Sequence, residues 1–206
     1  MRQFGTDTLI LATFCCFAAF APNVAAQGSA PAATASRQID PAKAADVLIS
    51  TADKDFVLLI EAMPEDKFDF APSAALFKDG KTAFDGVRTF AQLATHTIQV
   101  NYFLWGAASG LKPDVDSAAI GKLKGKSEIL AAAKASMEFG HRAAATLTAT
   151  NAFEPLAPPS GSRFGAIAFG VIHLRDEYGQ MAEYVRMNGI VPPASVGRPA
   201  ANPSKK

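Results

Sequence analysis

Cysteine is nearly absent from this sequence. The 206 residues include two cysteines, Cys15 and Cys16, and both lie inside the apolar run Leu9–Ala21. That run belongs to a segment with the composition of a secretory signal peptide. Once the segment is removed, the chain can form no disulfide, offers no thiolate to a metal and has no cysteine nucleophile. Its stability must then come from its core.

The first 26 residues have the three parts of a signal peptide. Arg2 supplies the positive start, and the apolar run is too short to span a bilayer. Val24 and Ala26 are small residues at the −3 and −1 positions of a cleavage site. We predict cleavage after Ala26 and export to the periplasm or the medium, with no membrane attachment afterwards. The alternatives are an uncleaved anchor and lipidation at Cys15, which Phe14 disfavours because a small residue normally precedes a lipidated cysteine.

An excess of charge of one sign is also lacking. The chain has 20 basic and 19 acidic residues, for a formal net charge of +1. No basic patch or basic helix face is present, so the charge pattern argues against nucleic acid as a partner. The sequence also has no glycine-rich phosphate loop, no Gly-x-Ser-x-Gly elbow and no paired-cysteine metal motif.

What remains is enough for one domain. Residues 27–40 and 197–206 are rich in small and polar residues, and we predict that they are a disordered linker and a disordered tail. The folded domain is then 41–196. Its apolar residues follow helical spacing, with little sign of strands. We therefore predict an all-α fold, a four-helix bundle.

The predicted helices are about 20 residues long. They run over residues 41–63, 87–108, 126–150 and 164–187. In the first helix, Asp40 is the expected N-cap and the apolar stripe comprises Val47, Leu48, Phe56, Leu59 and Ile60. Ser127 is the expected cap of the third helix. Glycines are expected to end the second and fourth helices, at Gly110 and Gly189. Between the first two helices, four phenylalanines are expected to pack over the bundle: Phe68, Phe70, Phe77 and Phe84.

Histidine is scarce in this sequence, and the positions of its few histidines are informative about function. The three histidines are His96, His141 and His173. His96 falls within the apolar pattern of the second helix, where an imidazole needs a partner. His173 and Glu177 are four residues apart on the fourth helix and therefore share a face. If His96 lies opposite them, two imidazoles and a carboxylate can hold a divalent metal, although a structural hydrogen-bonded network is equally compatible with this spacing.

Three segments resemble the DinB-like family. They are residues 63–72 (Met-Pro-Glu-Asp-Lys-Phe-Asp-Phe-Ala-Pro), residues 88–96 (Arg-Thr-Phe-Ala-Gln-Leu-Ala-Thr-His) and residues 173–195, which include the run Asn188-Gly189-Ile190-Val191-Pro192-Pro193. The resemblance extends over residues 41–196. It implies a four-helix bundle, often a homodimer, in which many members hold a divalent metal with three histidines. Some members are transferases that use small thiols. The family name refers to induction by DNA damage and implies no DNA binding.

The resemblance assigns the metal ligands to His96, His173 and Glu177. Glu177 departs from the family pattern, in which histidine is commoner at that place. Two histidines and a glutamate form a known zinc set and also the ligand set of open non-haem iron sites. The metal could therefore be Zn, Ni, Fe or Mn, or the site could be degenerate and hold none.

Other polar and aromatic residues receive smaller roles. We consider Gln180 and Tyr102 as candidates for contact with the ligands from outside the metal shell. His141 is expected to be structural and partly exposed. Arg175 and Asp176 are expected on a solvated face. The two functional hypotheses are a metal-dependent transferase or hydrolase acting on a small molecule of unknown identity, and a non-catalytic binding or structural module.

Overall fold

The computed structural model describes residues 39–76, 78–80 and 83–197. The predicted signal peptide lies outside these ranges, as do nearly all of the predicted linker and tail. Within the described residues four long α-helices dominate and no strand occurs, apart from an isolated bridge between Pro155 and Ser162. The prediction of an all-α fold is confirmed. No helix in this part of the chain is long and apolar enough to cross a membrane.

Helix α1 spans Pro41–Ala62, close to its predicted bounds. The Asp40 carboxylate caps it by accepting a 3.0 Å hydrogen bond from the backbone N–H of Ala42. One residue of the predicted apolar stripe is misplaced, because Val47 is 57% exposed. The buried face consists instead of Ala45, Ile49, Ala52, Phe56, Leu59 and Ile60.

Helix α2 spans Phe90–Ser109 and begins three residues later than predicted. Thr89 and Gln92 explain the difference, because they form a capping box. The Gln92 N–H donates to the Thr89 hydroxyl (3.2 Å), and the Thr89 N–H donates to the Gln92 side chain (2.9 Å). The helix ends as predicted at Gly110, whose φ of 76° suits glycine.

A one-turn helix, α3 (Ser117–Ile120), was not predicted; Asp116 caps it.

Helix α4 spans Lys126–Ala144, so its predicted end at residue 150 is wrong. Asn151 accounts for this, because its side chain accepts from the Thr148 N–H (2.7 Å) and donates to the Thr146 carbonyl (3.0 Å). These bonds compete with helical ones. The predicted cap at Ser127 is also wrong, since residue 125 is the N-cap position.

Helix α5 spans Arg163–Met187. The Ser162 hydroxyl caps its start by accepting from the Gly165 N–H at 3.0 Å. Asn188 follows the last turn, and Gly189 with a φ of 77° ends the helix where the sequence predicts. At 25 residues, α5 is the longest helix among the described residues.

The long helices pack in a ring, in the order α1, α4, α2, α5 and back to α1. Contacts between side chains of neighbouring helices show whether the helices run parallel or antiparallel. Asn101 bonds to Ser136 and Tyr102 packs on Phe139, so α2 and α4 are parallel. α2 and α5 run antiparallel, because Tyr184 bonds to residue 88 whereas His173 meets His96. The bundle is thus held around one apolar core, with the site-bearing helices α2 and α5 side by side.

The segment between α1 and α2 lies against the bundle through its phenylalanines. Phe68 is 2% exposed, and its ring centroid is 5.3 Å from that of Phe90. Phe70 is partly buried, with its ring 5.7 Å from Tyr184, and Phe84 is half-buried. Phe77 lies outside the described residues. For Phe68 and Phe70, the predicted packing is confirmed.

Candidate metal centre

The candidate centre is built by two adjacent helices. α2 carries His96, and α5 carries His173 and Glu177 one turn apart. Because α2 and α5 pack along their lengths, the three side chains meet between them. The His96 and His173 rings lie edge to face, with centroids 5.1 Å apart and planes inclined at 68°. The structure therefore brings together the three residues that the sequence singled out.

One carboxylate oxygen faces both imidazoles. Oε1 of Glu177 lies 3.8 Å from Nε2 of His96 and 3.7 Å from Nε2 of His173. The three ligand atoms lie within 4.8 Å of one another. Among the described residues, these three side chains form a group that could hold a metal ion.

These distances distinguish a metal cradle from a hydrogen-bonded network. Hydrogen bonds between nitrogen and oxygen span about 2.7–3.2 Å, so neither imidazole is hydrogen-bonded to Glu177. Ligands at about 2.0–2.1 Å from a tetrahedral metal are separated from one another by about 3.4 Å. The observed separations are within half an ångström of that value. The donor set therefore fits a divalent metal.

Burial sets the protonation of the ligands. Burial lowers the pKa of His96, and the Arg88 guanidinium and His173 act in the same direction. Burial also lowers the pKa of His173, where Asp176 opposes the shift and Arg88 reinforces it. Both shifts favour the neutral imidazole, the form that binds a metal. Burial raises the pKa of Glu177, while Arg88 opposes the rise.

The three ligands differ in access. The Glu177 side chain is 7% exposed, whereas those of His96 and His173 are 30% and 20% exposed. Nδ1 of His173 is buried and has no hydrogen-bond partner among the described residues. Metal-binding histidines usually donate this second nitrogen to an acceptor. The ring of His173 is therefore positioned by packing, and the centre reaches solvent on its histidine side.

The two further candidates from the sequence lie in different places. The Gln180 amide nitrogen is 3.4 Å from Oε2 of Glu177, so this residue does contact a ligand. Tyr102 faces α4, where its ring packs against Phe139 at a centroid distance of 5.1 Å. It lines a separate cavity together with Phe103 and the α2–α3 segment.

Two residues near the centre were not assigned a role from the sequence. The Tyr184 hydroxyl donates a 3.1 Å hydrogen bond to the Arg88 carbonyl, which joins the end of α5 to the start of α2. Burial raises the pKa of Tyr184, and the charge of Glu177 adds to the rise. Arg88 falls in no recurring pattern with His96, so spacing alone could not reveal it.

Arg175 and Asp176, next to the ligand pair in sequence, point away from it. Arg175 was expected on a solvated face, and its side chain is 37% exposed. Its guanidinium pairs with Asp55 at 2.8 Å and also bonds to the Thr51 carbonyl, tying α5 to α1. Asp176 is exposed, as predicted.

The described residues include cavities of about 430, 290 and 210 Å³ that are lined by residues other than the three ligands. The first lies beside Phe103, the second between α1 and α4 beside His141, and the third beside Arg163.

The fold and the site together define a class: an all-α bundle that carries two histidines and a glutamate between adjacent helices, in a group that could hold a metal ion. The sequence model of the DinB superfamily matches residues 48–181. This chain belongs to the DinB superfamily. Comparison with curated proteins gave no match.

Proposed function

We propose that this chain is an exported protein that binds one divalent metal ion through His96, His173 and Glu177 and uses it to act on a small molecule. The observation that carries the proposal is the spacing of the donor atoms. Oε1 of Glu177 lies 3.7 and 3.8 Å from two imidazole nitrogens, too far for a hydrogen bond and close to the separation of metal ligands. The packing of α2 against α5 holds the three side chains close together.

The residues of the centre leave room for a reaction. Three protein ligands on one side of a metal leave further coordination positions open, as in catalytic rather than structural sites. When bound, the metal supplies Lewis-acid chemistry. Glu177 would offset part of the metal's charge, and His96 and His173, which are partly exposed, would hold the metal near solvent.

The reaction class follows from the superfamily and from export. The superfamily resemblance favours thiol transfer. Small thiols are mainly cytoplasmic, however, so export to the periplasm or the medium favours metal-dependent hydrolysis. The predicted cleavage after Ala26 supports export. We therefore place hydrolysis ahead of transfer.

A second function is favoured by the shape of the surface. None of the three cavities among the described residues opens onto the ligands. A non-catalytic module, with its metal site retained or degenerate, needs no such pocket. Once metal binding is established, a measurement of substrate turnover distinguishes the non-catalytic module from the enzyme.

The test begins with metal content. The protein is purified without a chelator or a polyhistidine tag, and its metals are measured by elemental mass spectrometry. We expect nearly one metal per chain, and none in the His96→Ala/His173→Ala double variant. His141→Ala is the matched control, because His141 lies at the α1–α4 contact and should leave the metal unchanged. The intact mass of the same preparation tests cleavage after Ala26.

Two results contradict the proposal. One is a wild-type protein that stays free of metal after incubation with Zn²⁺, Ni²⁺, Fe²⁺ and Mn²⁺, which would leave the non-catalytic module with a lost site. The other is metal that persists in the double variant, which would place the binding elsewhere.

A further inference from the structure

A cavity lies between α2 and the segment that leads from α2 to α3. We call it the α2–α3 cavity. It has a volume of about 430 Å³, and its lining comes from α2 between residues 99 and 107 and from the segment between residues 111 and 117. This volume falls within the range of about 300–1,000 Å³ that is usual for small-molecule sites. None of the three metal ligands lines it, so the cavity is separate from the candidate metal centre.

Hydrogen bonds hold the segment against α2 at both ends of the cavity. At one end, the Leu111 N–H donates to the Ser109 hydroxyl at 3.1 Å. At the other end, the Gln99 amide nitrogen donates to the Ser117 carbonyl at 2.6 Å. Between them the chain passes close to Gly106, where an added Cβ would lie 3.4 Å from the Leu111 carbonyl oxygen. The walls are therefore fixed by the protein itself, which reduces the ordering cost of binding a ligand.

The walls of the cavity are mainly apolar, and they reach water. Phe103 is 72% exposed, Val115 is 41% exposed and Leu111 is 38% exposed. All three line the cavity, together with Pro113. Exposed apolar groups gathered around a concave surface mark binding grooves, because a bound ligand removes that surface from water. The lining therefore fits a ligand with an apolar chain or ring.

Lys112 is the one charged residue among those that line the cavity. It is exposed, and it forms no ion pair with a described residue. Asp114 lies between two lining residues in sequence but is not part of the lining. The cavity between α1 and α4 differs, because Asp53 and Glu138 line it as well as two lysines. An unpaired cation beside apolar walls complements a ligand that joins an anionic head group to an apolar body.

We propose that the α2–α3 cavity binds a small amphipathic anion. Its apolar chain or ring packs against Phe103, Leu111 and Val115, and its anionic head group lies beside Lys112. Lysine suits this place because its ammonium is a compact charge on a flexible apolar stem. The stem extends the apolar wall while the charge follows the head group at the mouth. The proposed ligand site is independent of the metal centre.

The experiment compares three probes that share one chain length and differ in head group: octanoate, octan-1-ol and octylamine. Their affinities are measured by calorimetry on the purified protein, with and without a chelator, so that a carboxylate bound through a metal is recognised. The variants are Lys112→Gln and Phe103→Ser. Their controls are Lys122→Gln and Phe153→Ser, because these exposed residues line neither this cavity nor the other two. All four substitutions replace exposed side chains, so the variants should fold.

We expect octanoate to bind more tightly than octan-1-ol, and octylamine to bind most weakly. Lys112→Gln should weaken octanoate binding about threefold to tenfold, because a charge-assisted contact at an exposed site is lost. The same variant should leave the affinity for octan-1-ol unchanged. Phe103→Ser should weaken binding of both probes about threefold or more, because apolar contact is lost. Both controls should match wild type, and the chelator should change no affinity.

The proposal is overturned by any of four results. Octanoate that fails to bind wild type at millimolar concentrations removes the site. Equal affinities for octanoate and octan-1-ol, both unaffected by Lys112→Gln, remove the anionic class of ligand. Octanoate binding that disappears with chelator belongs to the metal centre. A wild-type dimer that binds no octanoate and becomes monomeric in Phe103→Ser would mean that a second copy of the chain covers these walls. None of these results depends on how much metal the protein contains, so the proposed function is tested separately.

Discussion

Trp105 is closely packed on two sides by glycines of the bundle. It is fully buried, and its indole N–H donates to the Ile167 carbonyl at 3.4 Å. Glycines from two different helices lie against its ring. A Cβ at Gly140 would lie 2.5 Å from the indole, and a Cβ at Gly170 would lie 2.4 Å from it. The absence of two methyl groups is what lets α4 and α5 approach α2.

Gly170→Ala should therefore destabilise the protein. Alanine has a higher helix propensity than glycine by about 1 kcal/mol, but the overpacking against Trp105 costs about 1–3 kcal/mol or more. We expect the overpacking to prevail, with a net loss of about 1–2 kcal/mol in the free energy of unfolding. Urea unfolding followed by Trp105 fluorescence measures this loss.

Gly179→Ala is the matched control on the same helix. An added Cβ there meets nothing within 4 Å, so only the propensity gain remains. This variant should be as stable as wild type or more stable by up to about 1 kcal/mol. Equal stabilisation by both substitutions would show that Trp105 has room to shift and that the glycines are not required.

At the scale of helices, the α1–α4 contact depends on polar links at both ends. Lys126 at the start of α4 donates to the last carbonyls of α1, those of Glu61 (2.7 Å) and Met63 (2.8 Å). Further along, His141 lies between two aspartates of α1. Its Nδ1 is 2.6 Å from Asp46, and its Nε2 is 3.4 Å from Asp53. His141 is thus partly exposed, as predicted from the sequence, and it joins two helices.

The link at His141 should make stability depend on pH. Burial disfavours its protonation, but the hydrogen bonds and charges of Asp46 and Asp53 prevail and raise its pKa. A folded-state pKa above the unfolded value of about 6.5 means that protonation stabilises the fold. The stabilisation is fully present below about pH 6.5 and is lost as the pH rises through the raised value.

His141→Gln should therefore be destabilising mainly at low pH. The three side chains are 32–50% exposed, so the effect should be about 1 kcal/mol or less. Chemical unfolding of wild type and variant at pH values from about 5 to 9 gives the difference as a function of pH. It should be largest near pH 5–6 and shrink towards pH 9. A difference that grows with pH would contradict a protonated His141 between the two aspartates.

Most of the elements could be predicted from the sequence, but not all of their ends. Apolar spacing with Asp40, Gly110 and Gly189 located most ends of the long helices, because these signals act within a few residues. The end of α4 was missed because the alanine-rich run before it has high helix propensity, which outweighed the three threonines among residues 145–150. The competing bonds of Asn151 appear only when the chain turns. The capping box of Thr89 and Gln92 was visible in the sequence and would have given the start of α2.

At the scale of the whole molecule, the ligands could be predicted but their surroundings could not. The spacing of His173 and Glu177 placed them on one face, and the superfamily resemblance pointed to His96. Only the antiparallel packing of α2 and α5 brings Arg88 and Tyr184 to the same site, because they are 96 residues apart in sequence. The direction in which Tyr102 faces depends likewise on which helix packs against it.

The bundle should be more stable with metal than without, and the gain should depend on His173. A metal that binds only the folded state adds about 2.7 kcal/mol at a hundredfold excess over its dissociation constant. With chelator, His173→Ala should lose only the packing of its ring, because its buried Nδ1 has no hydrogen-bond partner among the described residues. With Zn²⁺, wild type and His141→Ala should gain equally in thermal stability and His173→Ala should not. The deficit of His141→Ala relative to wild type should therefore be the same in both conditions, because its aspartate contacts are independent of the metal. Equal losses for His173→Ala with and without metal would mean that His173 serves packing, and the metal centre would have to be abandoned.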